Sequence, residues 1–208
     1  MKPIDSMIFD MDGTMWDAVD TYCRVWDSTF AALGIRREPV RYEQLLAQMG
    51  KPLDDIFDAI AAPDAPYRKE FFTLLPRIEV AIEPILGGKI YPGVRDTLTA
   101  LHNRGIRLFM VSNCLESGLD NFYEYSGFGA LFTDRRTYGG TGHDKDINLC
   151  ELRDVYKLEH PIYVGDIQRD CDSTHKAGME FVWASYGFGT CADPDFTIKR
   201  FDDLLKLI

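Results

Sequence analysis

Asp10 and Asp12 stand two residues apart in the run Ile8-Phe9-Asp10-Met11-Asp12-Gly13-Thr14, directly after the apolar stretch Ile4 to Phe9. On an extended chain, residues i and i+2 project to one face. The two carboxylates are therefore expected together at the carboxyl end of a strand, where an open α/β sheet presents its ligand crevice. Gly13 allows the backbone to turn away sharply. Two like charges so close are costly unless a cation neutralises them or they share a proton. The pattern points to a hard divalent metal and to acid–base chemistry.

Three more polar sets follow apolar runs in the same way. Ser112 and Asn113 come after Leu108-Phe109-Met110-Val111. They suit a helix cap, and helix N-termini also bind anions. Lys145 opens a helical pattern behind Gly139-Gly140-Thr141-Gly142, a run that lacks the Gly-Lys-Ser/Thr of a P-loop. Asp166 and Asp170 lie in Gly165-Asp166-Ile167-Gln168-Arg169-Asp170, behind Ile162-Tyr163-Val164. Like charges at i and i+4 are unfavourable without a cation, which again favours a metal. No GxSxG occurs, so a serine-hydrolase reading has no foothold.

The elements that must position these residues follow from periodicity. Apolar residues recur at helical spacing over Trp16 to Leu33, and Gly34 is a suitable stop. Tyr42 to Met49, Leu53 to Ile60 and Tyr67 to Leu86 predict further helices, with no strand between residues 15 and 88. Trp16, Trp26, Phe71 and Phe72 read as packing among these helices. From Ile90 the texture alternates. Helices are predicted over Val94 to Asn103, Leu119 to Tyr125, Lys145 to Tyr156, Arg169 to Ala177 and Phe201 to Leu207. Strands are predicted over Ile106 to Val111, Leu131 to Thr133, Pro161 to Val164 and Glu180 to Ala184. Alternation of this kind predicts a parallel sheet with helices on both faces. The first strand must join that sheet, so residues 1–14 and 90–208 are expected to form a discontinuous α/β core and residues 15–89 an all-helical cap. Hinges would lie near Thr14 to Trp16 and Gly87 to Tyr91, with the cap above Asp10 and Asp12. Lys51, beside Gly50 in the cap, is the candidate for a substrate contact; a solvated loop lysine is the alternative.

The chain has 208 residues and a net charge of −10. That acidity argues against nucleic acid or an anionic membrane as partner, because the bulk surface would repel either. A small anionic substrate stays compatible, because a metal can invert the field in one cleft. No apolar run approaches the roughly 18 residues of a membrane helix. Strand-like sequence from Ile4 leaves no room for a signal peptide. Cys23, Cys114, Cys150, Cys171 and Cys191 are scattered with no CxxC, and His102, His143, His160 and His175 are also dispersed. The expectation is reduced thiols, a cytoplasmic location and no zinc site. Monomer and homodimer are equally compatible.

The four motifs in this order resemble the haloacid dehalogenase (HAD) superfamily of phosphohydrolases: DxDGT at Asp10 to Thr14, the hydroxyl residue Ser112, Lys145, and GDxxxD at Gly165 to Asp170. The helical insert resembles the C1-type cap of the phosphoglycolate phosphatase and β-phosphoglucomutase branch. So do Tyr91-Pro92-Gly93-Val94 through Val111-Ser112-Asn113 and the Ala177-Gly178 pair. The resemblance implies a Rossmann-like doubly wound parallel sheet with Asp10 as nucleophile and Asp12 as general acid and base. It implies Mg²⁺ held by Asp10, the backbone carbonyl of Asp12, Asp166 and, directly or through water, Asp170. Ser112, with Asn113 beside it, and Lys145 would hold the phosphoryl oxygens. Relatives commonly carry proline after this lysine, where this chain has Asp146, a suitable first-turn acid. True dehalogenases lack a carboxylate at the position of Asp12. The implied activity is hydrolysis of a small phosphorylated metabolite, phosphoglycolate-like or a sugar phosphate, through an aspartyl-phosphate. A β-phosphoglucomutase-like mutase shares every motif. A non-catalytic module of this fold would be expected to have lost a motif carboxylate or the lysine, and this chain keeps them all.

Overall fold

The computed structural model describes residues 3–208. Six strands form one parallel sheet: β1 (Ser6–Phe9), β4 (Arg107–Ser112), β5 (Asp134–Thr137), β6 (Pro161–Gly165), β7 (Glu180–Ala184) and β8 (Phe196–Ile198), in the order β5-β4-β1-β6-β7-β8. Strand β1 is central. The chain builds outward from it in one direction through β4 and β5, and in the other through β6, β7 and β8. That reversal creates a crevice at the carboxyl ends of β1 and β6, next to Asp10 and Asp166.

The near-continuous apolarity of these strands has a direct cause. Met7 and Phe9 of β1 enter one buried cluster and Ile8 the opposite one. Leu108 and Met110 of β4 likewise part from Phe109 and Val111. A strand covered by helices on both sides has no face left for polar residues. Helices α5 (Val94–Asn103) and α6 (Glu116–Ser126) cover the first face, while α8 (Lys145–Tyr156) and α9 (Gln168–Lys176) cover the second.

Between β1 and the rest of the sheet, α1 (Val19–Ala32), α2 (Tyr42–Leu46), α3 (Leu53–Ile60) and α4 (Arg68–Leu86) pack around their own aromatic cluster. The Phe71 ring lies 4.9 Å from Trp26, 4.9 Å from Phe30 and 5.1 Å from Phe57.

Several expectations need correction. Trp16–Asp17 is not helical: it forms a short strand, β2, that pairs antiparallel with β3 (Lys89–Ile90). The two chain crossings are thus hydrogen-bonded to each other. Trp16 packs at 4.8 Å on Phe122 of α6, within the sheet-side cluster and not among the insert helices. The strand expected at Leu131 to Thr133 lies at Asp134–Thr137, preceded by a 3₁₀ turn over Gly129–Leu131. An edge strand carrying Asp134, Arg135 and Arg136 shows no apolar pattern, and charged edges discourage further pairing. The glycine run contains one helical turn, α7 (Tyr138–Thr141), started by Thr137 Oγ1 accepting from Gly140 N. Strand β8 was not expected, and the last segment is 3₁₀ over Phe201–Lys206. Among the described residues no helix is long and apolar enough to cross a membrane.

Phe71 is fully buried among three rings, so Phe71→Ala is expected to cost about 3–5 kcal/mol. Denaturant unfolding checks this; a loss under about 1 kcal/mol would mean that the insert does not depend on this cluster.

Candidate active site

Four motif segments converge at the carboxyl ends of β1, β4 and β6. Asp10 follows β1 directly, and its N–H donates to Val164 O at 2.9 Å, which ties it to β6. Lys145, at the start of α8, donates to Asp10 Oδ1 at 3.1 Å and to Asp170 Oδ1 at 2.6 Å. Asp170 Oδ2 accepts from the N–H groups of Asp166 at 3.1 Å and Ile167 at 3.3 Å. This shapes the turn that leads into α9. Asp166 Oδ2 accepts from Phe188 N at 2.6 Å, and its carbonyl accepts from Trp183 Nε1 at 3.0 Å. The packing requires glycine: Gly13 has φ +75°, and a Cβ there would lie 2.0 Å from Asp166 Oδ2. At Gly165 a Cβ would lie 2.6 Å from Asp170 Oδ2.

The carboxylates of Asp10, Asp166 and Asp170 each bring an oxygen within 4.8 Å of the others, and all three residues are buried. One ammonium, Lys145, faces these three acids. Burial lifts the Asp10 carboxyl to about 6 against the pull of Lys145. Burial, together with Asp170 and Asp10, pushes Asp166 well above the ordinary carboxylate range. Burial works against the Lys145 charge, but Asp10 and Asp170 outweigh it and hold the ammonium above the usual lysine range. A buried oxygen-only donor set with excess negative charge is what a small hard dication requires. The residues fit such an ion.

Asp12 does not join that cluster through its side chain. Its Oδ1 accepts from Trp16 Nε1 at 3.0 Å and from Tyr22 OH at 2.8 Å, beneath the helical insert. Burial and the neighbouring Asp10 raise its carboxyl to about 8. With both donors on Oδ1, the proton of the neutral acid belongs on Oδ2.

Asp10, Asp12, Ser112, Asn113, Lys145 and Asp166 line one cleft that opens to solvent, and Lys51 lines it from the insert. Asp170 reaches the site through Lys145. Asn113 Nδ2 donates to Gly50 O at 3.2 Å and so joins β4 to the insert. Exposed Lys51 donates to Gln48 Oε1 at 2.8 Å. Asp146 pairs with Lys176 at 2.7 Å, linking the first turn of α8 to α9.

Sequence reasoning passed over four residues here: Trp16 and Tyr22, which hold Asp12, and Glu79 and Glu83 of α4, which line the cleft. Glu83 Oε2 accepts from Asn121 Nδ2 at 2.7 Å, and Glu79 Oε2 from Ser117 Oγ at 3.3 Å. Burial raises Glu79 to about 7, and burial together with Glu79 raises Glu83 to about 8. Their i, i+4 spacing was the available signal, since like charges rarely share one helix face without a reason.

These shifts carry a stability consequence. Below about pH 4.5 Glu83 is neutral in both folded and unfolded chains. As pH rises from there to 8, the unfolded chain ionises first and folding loses stability. Glu83→Gln should therefore raise the melting temperature by an amount that grows from pH 5 to pH 9. A difference independent of pH would contradict the burial of this carboxyl.

The sequence matches the haloacid dehalogenase-like hydrolase family over residues 7–184. It is 26% identical to a phosphoglycolate phosphatase of Aquifex aeolicus (strain VF5), with 97% of this chain and 95% of that protein aligned. A solved structure described as a predicted phosphoglycolate phosphatase from Haemophilus somnus 129PT superposes with a TM-score of 0.85 at 21% identity, covering 100% of this chain and 99% of the other. CbbY from Rhodobacter sphaeroides, solved with phosphate, superposes with a TM-score of 0.82 at 17% identity, covering 97% and 96%. With the family match spanning most of the chain and the fold shared end to end, this protein belongs to the haloacid dehalogenase-like hydrolases.

Proposed function

We propose that this chain is a Mg²⁺-dependent phosphatase that hydrolyses a small phosphate monoester through a phosphoaspartate at Asp10. The observation that carries this reading is the division between the two carboxyls of the first motif. Asp10 belongs to the Lys145 and acid cluster, whereas Asp12 is held by two uncharged donors, Trp16 and Tyr22. The names of the curated relatives, phosphoglycolate phosphatase and pyrophosphatase, agree with phosphoryl chemistry.

Asp10, Asp166 and Asp170, with the main-chain carbonyl of Asp12, would hold the ion. When bound, Mg²⁺ supplies charge neutralisation for the transferring phosphoryl group. An Asp10 carboxylate oxygen attacks phosphorus and the ester P–O bond breaks. Asp12 Oδ2 gives its proton to the departing oxygen. Asp12, now ionised, takes a proton from the water that attacks the phosphoaspartate. The bond between phosphorus and Asp10 breaks, and inorganic phosphate leaves. Lys145 and Ser112 hold phosphoryl oxygens, and Asn113 keeps the insert seated over the cleft. Its contact with Gly50 supports that role.

The leaving-group side supports a choice between the two substrate classes. Glu79 and Glu83 place two carboxyls on the insert wall of the cleft, against the single Lys51 ammonium. Above about pH 8, where both carboxyls are ionised, a hydroxyl-bearing leaving group can donate hydrogen bonds to them, whereas a terminal carboxylate meets like charge. The reading is a sugar or polyol phosphate in preference to phosphoglycolate.

Phosphate release from a panel of monoesters tests both parts. Hydrolysis should require Mg²⁺, vanish with a chelator, and fall by about 10³-fold or more in Asp10→Asn. At about pH 8.5, where Glu79 and Glu83 are charged, sugar phosphates should exceed phosphoglycolate in kcat/KM by about tenfold or more, the scale of one unfavourable charged contact. No release from any ester contradicts the phosphatase. Isomerised sugar phosphate without free phosphate would identify a mutase, and a preference for phosphoglycolate would remove only the substrate assignment.

A further inference from the structure

Beside α9, four donor groups lie together that no sequence spacing would group. Cys171 and His175 are one turn apart on α9; Cys191 and Asp193 return to it on the segment between β7 and β8. One ligand atom each of Cys171, Cys191 and Asp193 lies within 4.8 Å of the others. Cys171 Sγ stands 3.8 Å from Asp193 Oδ1 and 3.6 Å from His175 Nδ1. A tetrahedral zinc ion, with bonds of about 2.3 Å to sulfur and 2.0 Å to nitrogen or oxygen, sets ligand-to-ligand edges of about 3.6–3.8 Å. The separations from Cys171 match those edges.

The surroundings are also those of a metal site. His175 Nε2 pairs with Asp195 at 2.9 Å, and the Cys171 thiol lies 3.6 Å from Nδ1 and 3.9 Å from Nε2, so a turn of the ring is needed to aim Nδ1 at an ion held by the thiol. A carboxylate on the far ring nitrogen fixes the tautomer of a ligating imidazole. Gln168 Nε2 donates to Asp193 Oδ1 at 3.0 Å and orients that carboxylate. Cys171 is buried, Cys191 half-buried and Asp193 exposed, so the cluster opens to solvent and has an entry path.

We propose that Cys171, Cys191 and Asp193 bind one thiophilic divalent ion of the zinc type, with His175 turning its ring to become the fourth donor. Two sulfurs with one oxygen and one nitrogen select such an ion over Mg²⁺. The site is structural: it ties the β7–β8 segment to the helix whose first turn carries Asp170. It is chemically distinct from the oxygen-only cluster at Asp10.

The test is titration of the reduced, chelator-treated full-length protein with Co²⁺, followed by competition with Zn²⁺. The expected result is a thiolate-to-cobalt charge-transfer band that saturates at one equivalent and is bleached by Zn²⁺. Binding should be at least about 100-fold weaker in Cys191→Ser, and clearly weaker in Asp193→Asn, whose exposed side chain carries no folding risk. Stoichiometric Zn²⁺ should raise the melting temperature of the wild type but not of Cys191→Ser. An absent band, a band that survives Cys191→Ser, or a Cys171–Cys191 disulfide in protein purified under reducing conditions would each overturn the proposal.

Discussion

Lys145 donates at once to Asp10 and Asp170, and the architecture of the site depends on that buried fork. One ammonium joins the carboxyl end of β1 and the first turn of α9 to the start of α8. It also lies over the Tyr163 ring at 5.2 Å. Breaking a buried ion pair by removing one partner costs about 3–5 kcal/mol, because the other charge is stranded. Here removal of the lysine would strand more than one. The fork cancels only part of the negative charge gathered by Asp10, Asp166 and Asp170. The same electrostatic deficit that would destabilise an empty site would favour a dication there.

That deficit also explains why two carboxyls two residues apart take different states. Asp10 keeps a cationic neighbour, while the Asp12 side chain accepts from two neutral donors, Trp16 and Tyr22. Tyr22 belongs to the insert and Trp16 to the paired crossing strands. The acid's environment is therefore assembled by the joint between insert and sheet. Motion of the insert would alter the setting of Asp12, because Tyr22 would move with it.

Much of this was legible in the sequence. Apolar runs ending in Asp10, Ser112 and Asp166 marked strand ends because doubly covered strands leave no polar face. The 3.6-residue spacing likewise marked the insert helices. What stayed hidden lacks periodicity. The β2–β3 pairing is two residues long, and β8 is three. The edge strand at Asp134–Thr137 is polar, so Leu131 and Phe132, which pack toward the core, drew the assignment upstream. Cys171 and Cys191 lie too far apart for a spacing rule and meet only because β7 and its following segment bring the chain back across α9. The partners of Asp12 were out of reach for the same reason, because tertiary contact assigns them.

The most direct test of the account is rapid acid quench of the Mg²⁺-loaded enzyme during turnover of its best monoester, followed by peptide mass spectrometry. The account predicts one acid-stable, alkali-labile phosphoryl group on the peptide containing Asp10, formed and lost at rates that match turnover. Steady hydrolysis with no phosphorylated Asp10 at any quench time, or with the group on another residue, would contradict it.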